Sequence, residues 1–279
     1  MKSVKILFLV SVACLMAAAC DPIGENERLV YVEPEASEPV EQDTVPDPQT
    51  PEPTQRVVLL EDFTGQKCAN CPKGTEIIEQ LTDSLGDALV AVGIHCGPLG
   101  VHPTAKAIGL ATDLGDAYYD YWELEFQPVG LVNRHGAVNY TNWVAEVKKE
   151  LARPAPMRLT ATATYSEAGD MDVTIQATGT AGTTTGKLQV WLLEDGIVAT
   201  QLMPDNTRKQ DYVHNHVLRQ AVNGPWGDDI TVTEGKTTVC TYTLQPEEGW
   251  QKEQLSIVAF VYDGEGVQQA VKTYVARER

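Results

Sequence analysis

The chain has 279 residues, with 21 Lys+Arg against 39 Asp+Glu and a formal charge of -18. Its hydrophobic share of 43% and charged share of 22% are ordinary for a globular protein able to bury a sizeable core, and the length favours two domains over one. Such an acidic chain is repelled by nucleic acid and by anionic membrane surfaces, so neither is expected as a partner.

Residues 1–19 read as a lipoprotein signal peptide. Lys2 and Lys5 give a positive start, Ile6-Leu7-Phe8-Leu9-Val10 begin an apolar run, and Ala17-Ala18-Ala19 precede a cleavage point. The run is too short for a membrane span. The small residues before Cys20 resemble the lipobox of bacterial lipoproteins. That resemblance implies that Cys20 is acylated and holds the exported protein on a membrane; a plain secretory leader with a chance cysteine is the alternative. Residues 20–56 form a tether, and within it Asp21–Gln55 sets ten acidic residues and seven prolines against Arg28 alone. Such a segment buries too little apolar surface to offset its ordering entropy and stays extended. Within it, Asp43-Thr44-Val45 resembles the Asp-Thr-aliphatic acceptor used for O-glycosylation by some anaerobic Gram-negative bacteria.

Residues 57–153 are organised around Val57-Val58-Leu59-Leu60-Glu61-Asp62-Phe63-Thr64-Gly65-Gln66-Lys67-Cys68-Ala69-Asn70-Cys71-Pro72. Val57–Phe63 reads as an apolar strand. It leads through a polar turn into a Cys-x-x-Cys at the start of a helix, where Pro72 suits the first turn. Ile77, Ile78, Leu81 and Leu85 make that helix amphipathic, and Gly86 stops it. Ala88–Cys96 is a second, continuously apolar strand of the kind found in parallel sheets. Gly97–Glu125 is expected to be a loop with a helical insertion, its Tyr118, Tyr119, Tyr121 and Trp122 read as core packing. Phe126–Val132 is expected as a strand, followed by a helix from Trp143 that Pro154 ends.

A strand that delivers Cys-x-x-Cys to a helix N-terminus is the thioredoxin-like layout. In that fold a cis-proline faces the cysteines, and Pro128 matches its position. Gln127 stands where thioredoxins often carry threonine, and Lys67 where they carry tryptophan. The Leu60-Glu61-Asp62-Phe63-Thr64-Gly65 run with Cys68-Ala69-Asn70-Cys71-Pro72, Gly93-Ile94-His95 and Pro128-Val129-Gly130-Leu131-Val132-Asn133-Arg134 resemble the twenty-eight-kilodalton outer-membrane-protein (Omp) family of lipoproteins. Trp191–Val198 and Tyr212–Arg219 extend the resemblance over most of the chain after the tether. It implies an α/β thioredoxin-like domain followed by an all-β immunoglobulin-like sandwich, lipid-anchored at the outer membrane and facing either the periplasm or the cell surface.

Arg153-Pro154-Ala155-Pro156 is a stiff boundary. Beyond it, over residues 157–276, the apolar period changes to two. Leu159–Tyr165, Met171–Thr178, Lys187–Val198, Tyr212–Val222, Thr237–Leu244, Leu255–Tyr262 and Val267–Val275 are the expected strands. About seven strands in this span fit an antiparallel sandwich, with Trp191 in its core. Cys240 has no second cysteine of the sandwich to pair with and is expected as a buried free thiol.

Cys68 and Cys71 are the strongest candidate for chemistry. In a thiol–disulfide exchanger Cys68 attacks as thiolate and Cys71 resolves the mixed disulfide, with Pro128 shaping a substrate groove. The helix N-terminus and Lys67 both favour the thiolate of Cys68. In an oxidising compartment the same two residues also make a permanent structural disulfide in a binding or adhesion lipoprotein, and the residues leave both readings open. His95 and Cys96 end the second strand on the same edge, as an accessory proton carrier and a further thiol, although alternation sends them to opposite faces. Tyr212, His214 and His216 are expected on one strand face, without the third ligand a metal needs. No metal or cofactor is expected, and the partners expected are the membrane through Cys20 and a protein or peptide.

Overall fold

The computed structural model describes residues 54–276. Strand β1 (Val58–Thr64) is buried along its whole length, because helices or other strands cover both of its faces. Helix α1 (Cys71–Leu85) begins with a proline in its first turn and turns Cys71, Pro72, Gly74, Ile78 and Leu81 inward. It stops at Gly86, whose φ of 53° lies in the region that glycine adopts without a Cβ penalty. Strand β2 (Leu89–His95) then runs parallel to β1, from Val58 opposite Leu89 to Thr64 opposite His95. Helix α2 (Asp113–Tyr121) is capped by the Thr112 side chain, which accepts from the Gly115 N–H, and carries Asp113 and Asp116 in its first turn, where the helix dipole favours them.

Strand β3 (Val129–Val132) pairs antiparallel with β1, and β4 (Ala137–Asn139) pairs antiparallel with β3. The expected strand from Phe126 begins only at Val129. The Gln127–Pro128 bond is cis, as the thioredoxin-like pattern implied. Helix α3 (Trp143–Leu151) follows and packs Trp143 and Val147 inward. Trp143 lies so close to the α-carbon of Gly130 that a Cβ there would meet its indole ring, and Gly74 of α1 touches the same ring.

After Pro156 come β5 (Met157–Tyr165), β6 (Met171–Gly179), β7 (Thr183–Glu194), β8 (Ile197–Leu202), β9 (Arg208–His214), β10 (Val217–Ala221), β11 (Asp228–Thr233), β12 (Thr237–Leu244), β13 (Leu255–Asp263) and β14 (Gly266–Tyr274). These ten replace the seven that the sequence pattern gives. The run Lys187–Val198 is two strands, broken at Asp195-Gly196, where Gly196 has φ 72°. Tyr212–Val222 is likewise broken at Asn215-His216, where His216 has φ 47°. Strand β11 was missed because only Ile230 and Val232 of its six residues are apolar and buried.

The largest sheet has the order β14-β13-β7-β10-β2-β1-β3-β4, with β11 paired to β7. Strands from both sides of Arg153–Pro156 therefore share it, joined where β10 meets β2: Val217 lies opposite Gly93, and the Gly93 N–H donates to the His216 carbonyl at 2.8 Å. A second sheet, β12-β6-β5, covers β7 and β13. Leu188, Val190, Leu192, Ile257, Ala259 and Val261 meet Met157, Val173, Ile175 and Leu244 between the two layers. On the other face of the large sheet, Phe63, Val92 and Ile94 pack with Tyr118, Trp191 and Phe260. Side chains from the two halves of the chain share that core. Helices α1 and α3 cover Val58, Leu60, Leu89 and Ala91. Strands β8 and β9 pair only with each other, as a hairpin.

Candidate functional site

Alternation along β1 and β2 decides what faces α1. Leu59, Phe63, Val90, Val92 and Ile94 go to the aromatic core, so Asp62, Thr64, Gly93 and His95 face the other way, towards the first turn of α1. There Cys68 and Cys71 form a disulfide. The Cys71 N–H donates to Cys68 Sγ at 3.1 Å, the kind of contact that favours a thiolate at Cys68 when the bond is open. Lys67 beside it is exposed. Pro128 packs against the same turn, its Cβ lying 3.5 Å from where a Cβ on Gly74 would sit.

Both cysteines are only 2% exposed. The cover comes from the β8–β9 hairpin. Gln201 Nε2 donates to the carbonyl of Cys68 at 2.9 Å and to that of Gly65 at 3.4 Å. The Leu202 N–H donates to the Gln66 carbonyl at 2.9 Å, and Gln66 Nε2 donates back to the Thr200 carbonyl at 3.1 Å.

Beneath this cover, Asp62, Thr64, Cys71, His95, Tyr212 and His214 surround a cavity of about 20 Å³, enough for one water. Asp62 is 2% exposed, its Oδ1 has no hydrogen-bond partner among the described residues, and burial alone pushes its carboxyl up to about 8. His95 Nδ1 and His214 Nε2 are likewise buried without partners. The two imidazoles meet edge to face with ring centres 5.1 Å apart. Burial holds His95 well below the usual histidine range, with His214, His216 and Arg219 adding to the effect. Burial also holds His214 down at about 4, against a hydrogen bond to the Ala199 backbone that favours its charged form.

Tyr212, His214 and His216 all line this cavity, although His216 lies in the link after β9 and not on the strand face expected for it. Cys96 points away into the aromatic core, fully buried, its thiol pushed far up by burial and by Asp116. Gln127, next to Pro128, donates to the carbonyls of Thr64 and Cys96. Cys240 is free and half-buried, where full burial was expected. Among the described residues one cluster brings three ligand-type groups together, His102 with Asp113 and Asp116 at the start of α2. It lies far from the disulfide in sequence and is mostly exposed, and His102 Nε2 already bonds Asp116 at 2.8 Å. Cys20 lies outside the described residues, as do the acidic stretch before residue 54 and Asp43-Thr44-Val45. The sequence reading missed Asp62 and Gln201. Asp62 carried a legible signal, an acid at an inward position of a strand otherwise closed to water. Gln201 carried none.

The Omp28 outer membrane protein family matches residues 115–278, more than half of the chain. The chain belongs to that family, which places it at the outer membrane, as the resemblance in sequence implied. No helix among the described residues is long and apolar enough to cross a membrane. HBP35 of Porphyromonas gingivalis is similar in fold, with a TM-score of 0.58 over 80% of this chain and 76% of that one at 16% identity. A domain of the outer membrane lipoprotein Omp28 from Porphyromonas gingivalis is 31% identical over 45% of this chain and 92% of its own, with a TM-score of 0.32. No curated protein sequence matches the chain.

Proposed function

We propose that this protein is a lipoprotein, anchored by an acylated Cys20, whose thioredoxin-like part (residues 57–153) exchanges thiols and disulfides with envelope proteins through Cys68 and Cys71. The observation that carries the reading is Asp62. A structural bridge needs no ionisable group behind it, and a carboxyl buried without a partner lowers stability. Reduction of a buried disulfide leaves a thiolate on Cys71 that must be protonated away from bulk solvent. A carboxyl lining the same cavity as Cys71, and still protonated near neutral pH, is suited to that transfer. The parallel β1-α1-β2 unit, antiparallel β3 and β4, and Pro128 against the first turn of α1 support the thioredoxin-like reading. The β5-β6-β12 layer over β7 and β13 supports an immunoglobulin-like sandwich for residues 157–276.

The burial of Cys68 favours a second reading, a binding lipoprotein with Cys68–Cys71 as a staple, because a protein substrate reaches that sulfur only if the β8–β9 hairpin moves. The redox couple separates the two. Equilibration of the full-length protein with dithiothreitol buffers is expected to give a midpoint above about -300 mV, the range of labile disulfides. Insulin reduction should be lost in Cys68→Ser. A midpoint far below that value, with no activity to lose, leaves the staple.

A further inference from the structure

His214 and His216, on the far side of the cavity, belong to a part of the chain outside the thioredoxin-like residues 57–153. His214 arrives on β9, from beyond Pro156, and meets His95 of β2. Three polar atoms on these walls, Asp62 Oδ1, His95 Nδ1 and His214 Nε2, are buried and unpartnered. Three such atoms on residues lining one small cavity are costly unless something binds them. A buried water typically makes about three hydrogen bonds, which matches the unmet demand.

We propose that one water is held between Asp62, His95 and His214, and that His214 is a positioning residue which aims this water at Asp62. The inference rests on the thiol–disulfide reading above. The ring of His214 donates to the Ala199 backbone, so its hydrogen sits on the nitrogen facing that carbonyl and Nε2 is a lone-pair acceptor. The water donates one hydrogen to Nε2 and the other to Asp62 Oδ1. His95 Nδ1–H supplies the third bond.

The chemistry that uses this arrangement is balanced as follows. A substrate thiolate attacks Cys68 Sγ, the Cys68–Cys71 bond breaks, and its electron pair leaves on Cys71. Asp62 gives its proton to Cys71, and the water then hydrogen-bonds the new carboxylate. The second substrate thiol attacks the mixed disulfide and releases Cys68. The substrate leaves as a disulfide, having given up two electrons; Cys71 keeps the proton from Asp62, and Cys68, released as a thiolate, takes up from solvent the proton that the first substrate thiol lost on ionising. Asp62 recovers its proton from the second substrate thiol by way of solvent. The other titratable groups at the cavity are Tyr212 and His216, with Arg219 acting on His95, and Lys272 and Asp195 acting on His216.

The test is the rate at which dithiothreitol reduces Cys68–Cys71 in the full-length protein in detergent, followed by quenched alkylation from pH 6 to 10. The wild type should show an inflection near 8, where Asp62 titrates. His214→Phe removes the acceptor while keeping a ring. It should slow reduction about tenfold at neutral pH and move the inflection upward, because Asp62 loses the water that solvates its ionised form. His214→Gln keeps an acceptor oxygen and should stay close to wild type. An unchanged rate and inflection in His214→Phe overturns the role of His214 while leaving the exchange reading intact. A wild-type disulfide that dithiothreitol does not reduce overturns the exchange reading itself. If His214→Phe does not fold, nitrogen NMR of the wild-type imidazole decides: a proton on Nε2 of His214 refutes the arrangement.

Discussion

Two adjacent acids of β1 meet opposite environments, and the difference shows how position sets chemistry. Glu61 faces the aromatic core, where Arg134 Nε lies 3.3 and 3.1 Å from its two carboxylate oxygens and Nη2 3.0 Å from one of them. That guanidinium sits over the rings of Phe260 and Tyr262, 4.7 and 4.4 Å from their centres, so the pair is buried with both charges matched. Asp62 faces the cavity and has only the cost of desolvation. Its folded pKa is raised from 3.8 to about 8, so between those values the folded state holds a proton that the unfolded chain releases. Stability therefore falls as pH rises through that window, by at most about 1.4 kcal/mol per pH unit, and is flat above it. Asp62→Asn should abolish this slope. Urea unfolding with the disulfide intact is expected to show the variant more stable than wild type at pH 9, the gap closing towards pH 4. Parallel curves would mean that Asp62 is ionised in the folded protein. The cysteines and Pro128 were legible because their spacing is itself the signal. The environment of Asp62 was not, since residues far along the chain close the cavity behind it.

The β8–β9 hairpin is the element that separates the disulfide from solvent, and its hold is narrow. Apart from its small apolar seam of Leu110, Ile197, Ala199 and Val217, it grips the cysteine turn mainly through Gln201 and Leu202. Gln201→Ala removes the donor to the Cys68 carbonyl and leaves that oxygen unpaired, a loss of roughly 1–3 kcal/mol. The cost falls on the closed position of the hairpin, so dithiothreitol should reduce the variant several-fold faster than wild type. An unchanged rate would show that the hairpin is not what limits access. The hairpin also explains where reading the sequence stopped. Apolar residues lie on both sides of Glu194-Asp195-Gly196 and of His214-Asn215-His216, with only three residues between them, so each stretch looked like one strand. The breaks are made by side chains reaching across: Asp195 Oδ1 accepts from the His216 N–H, and Asn215 Oδ1 accepts from the Gly196 N–H at 2.9 Å. Each link thus supplies the hydrogen bond that the other needs. Alternation reports which face a residue takes and is silent on such mutual turns.

At the scale of the whole described chain, the change of period at Pro154–Pro156 was plain in sequence, but the pairing of strands across it was not. Nothing in the apolar pattern of β2 states that its outer edge will meet β10, because pairing over so long a separation depends on the complete fold. Two further ties cross the boundary. Arg56 donates to the carbonyls of Val267 and Pro154 at 2.7 and 3.0 Å. Asn133 receives the Leu59 N–H on its side chain at 2.9 Å, while its backbone carbonyl receives that of Val267 at 2.9 Å. Trp191 is the central packing link, fully buried, with its ring centre 4.8 Å from that of Phe260 and its Nε1–H donating to Tyr118 at 3.2 Å. A core shared in this way should unfold as a unit. Calorimetry of the disulfide-intact protein is expected to give one transition, with calorimetric and van't Hoff enthalpies equal. Trp191→Ala should cost about 3–5 kcal/mol and lower that single transition as a whole. The same loss should appear whether unfolding is followed by alkylation of Cys96 in the aromatic core or of Cys240 in the β12-β6-β5 layer. Two transitions, with Trp191→Ala moving one of them and the two cysteines becoming reactive at different temperatures, would show that the halves share a sheet without sharing their stability.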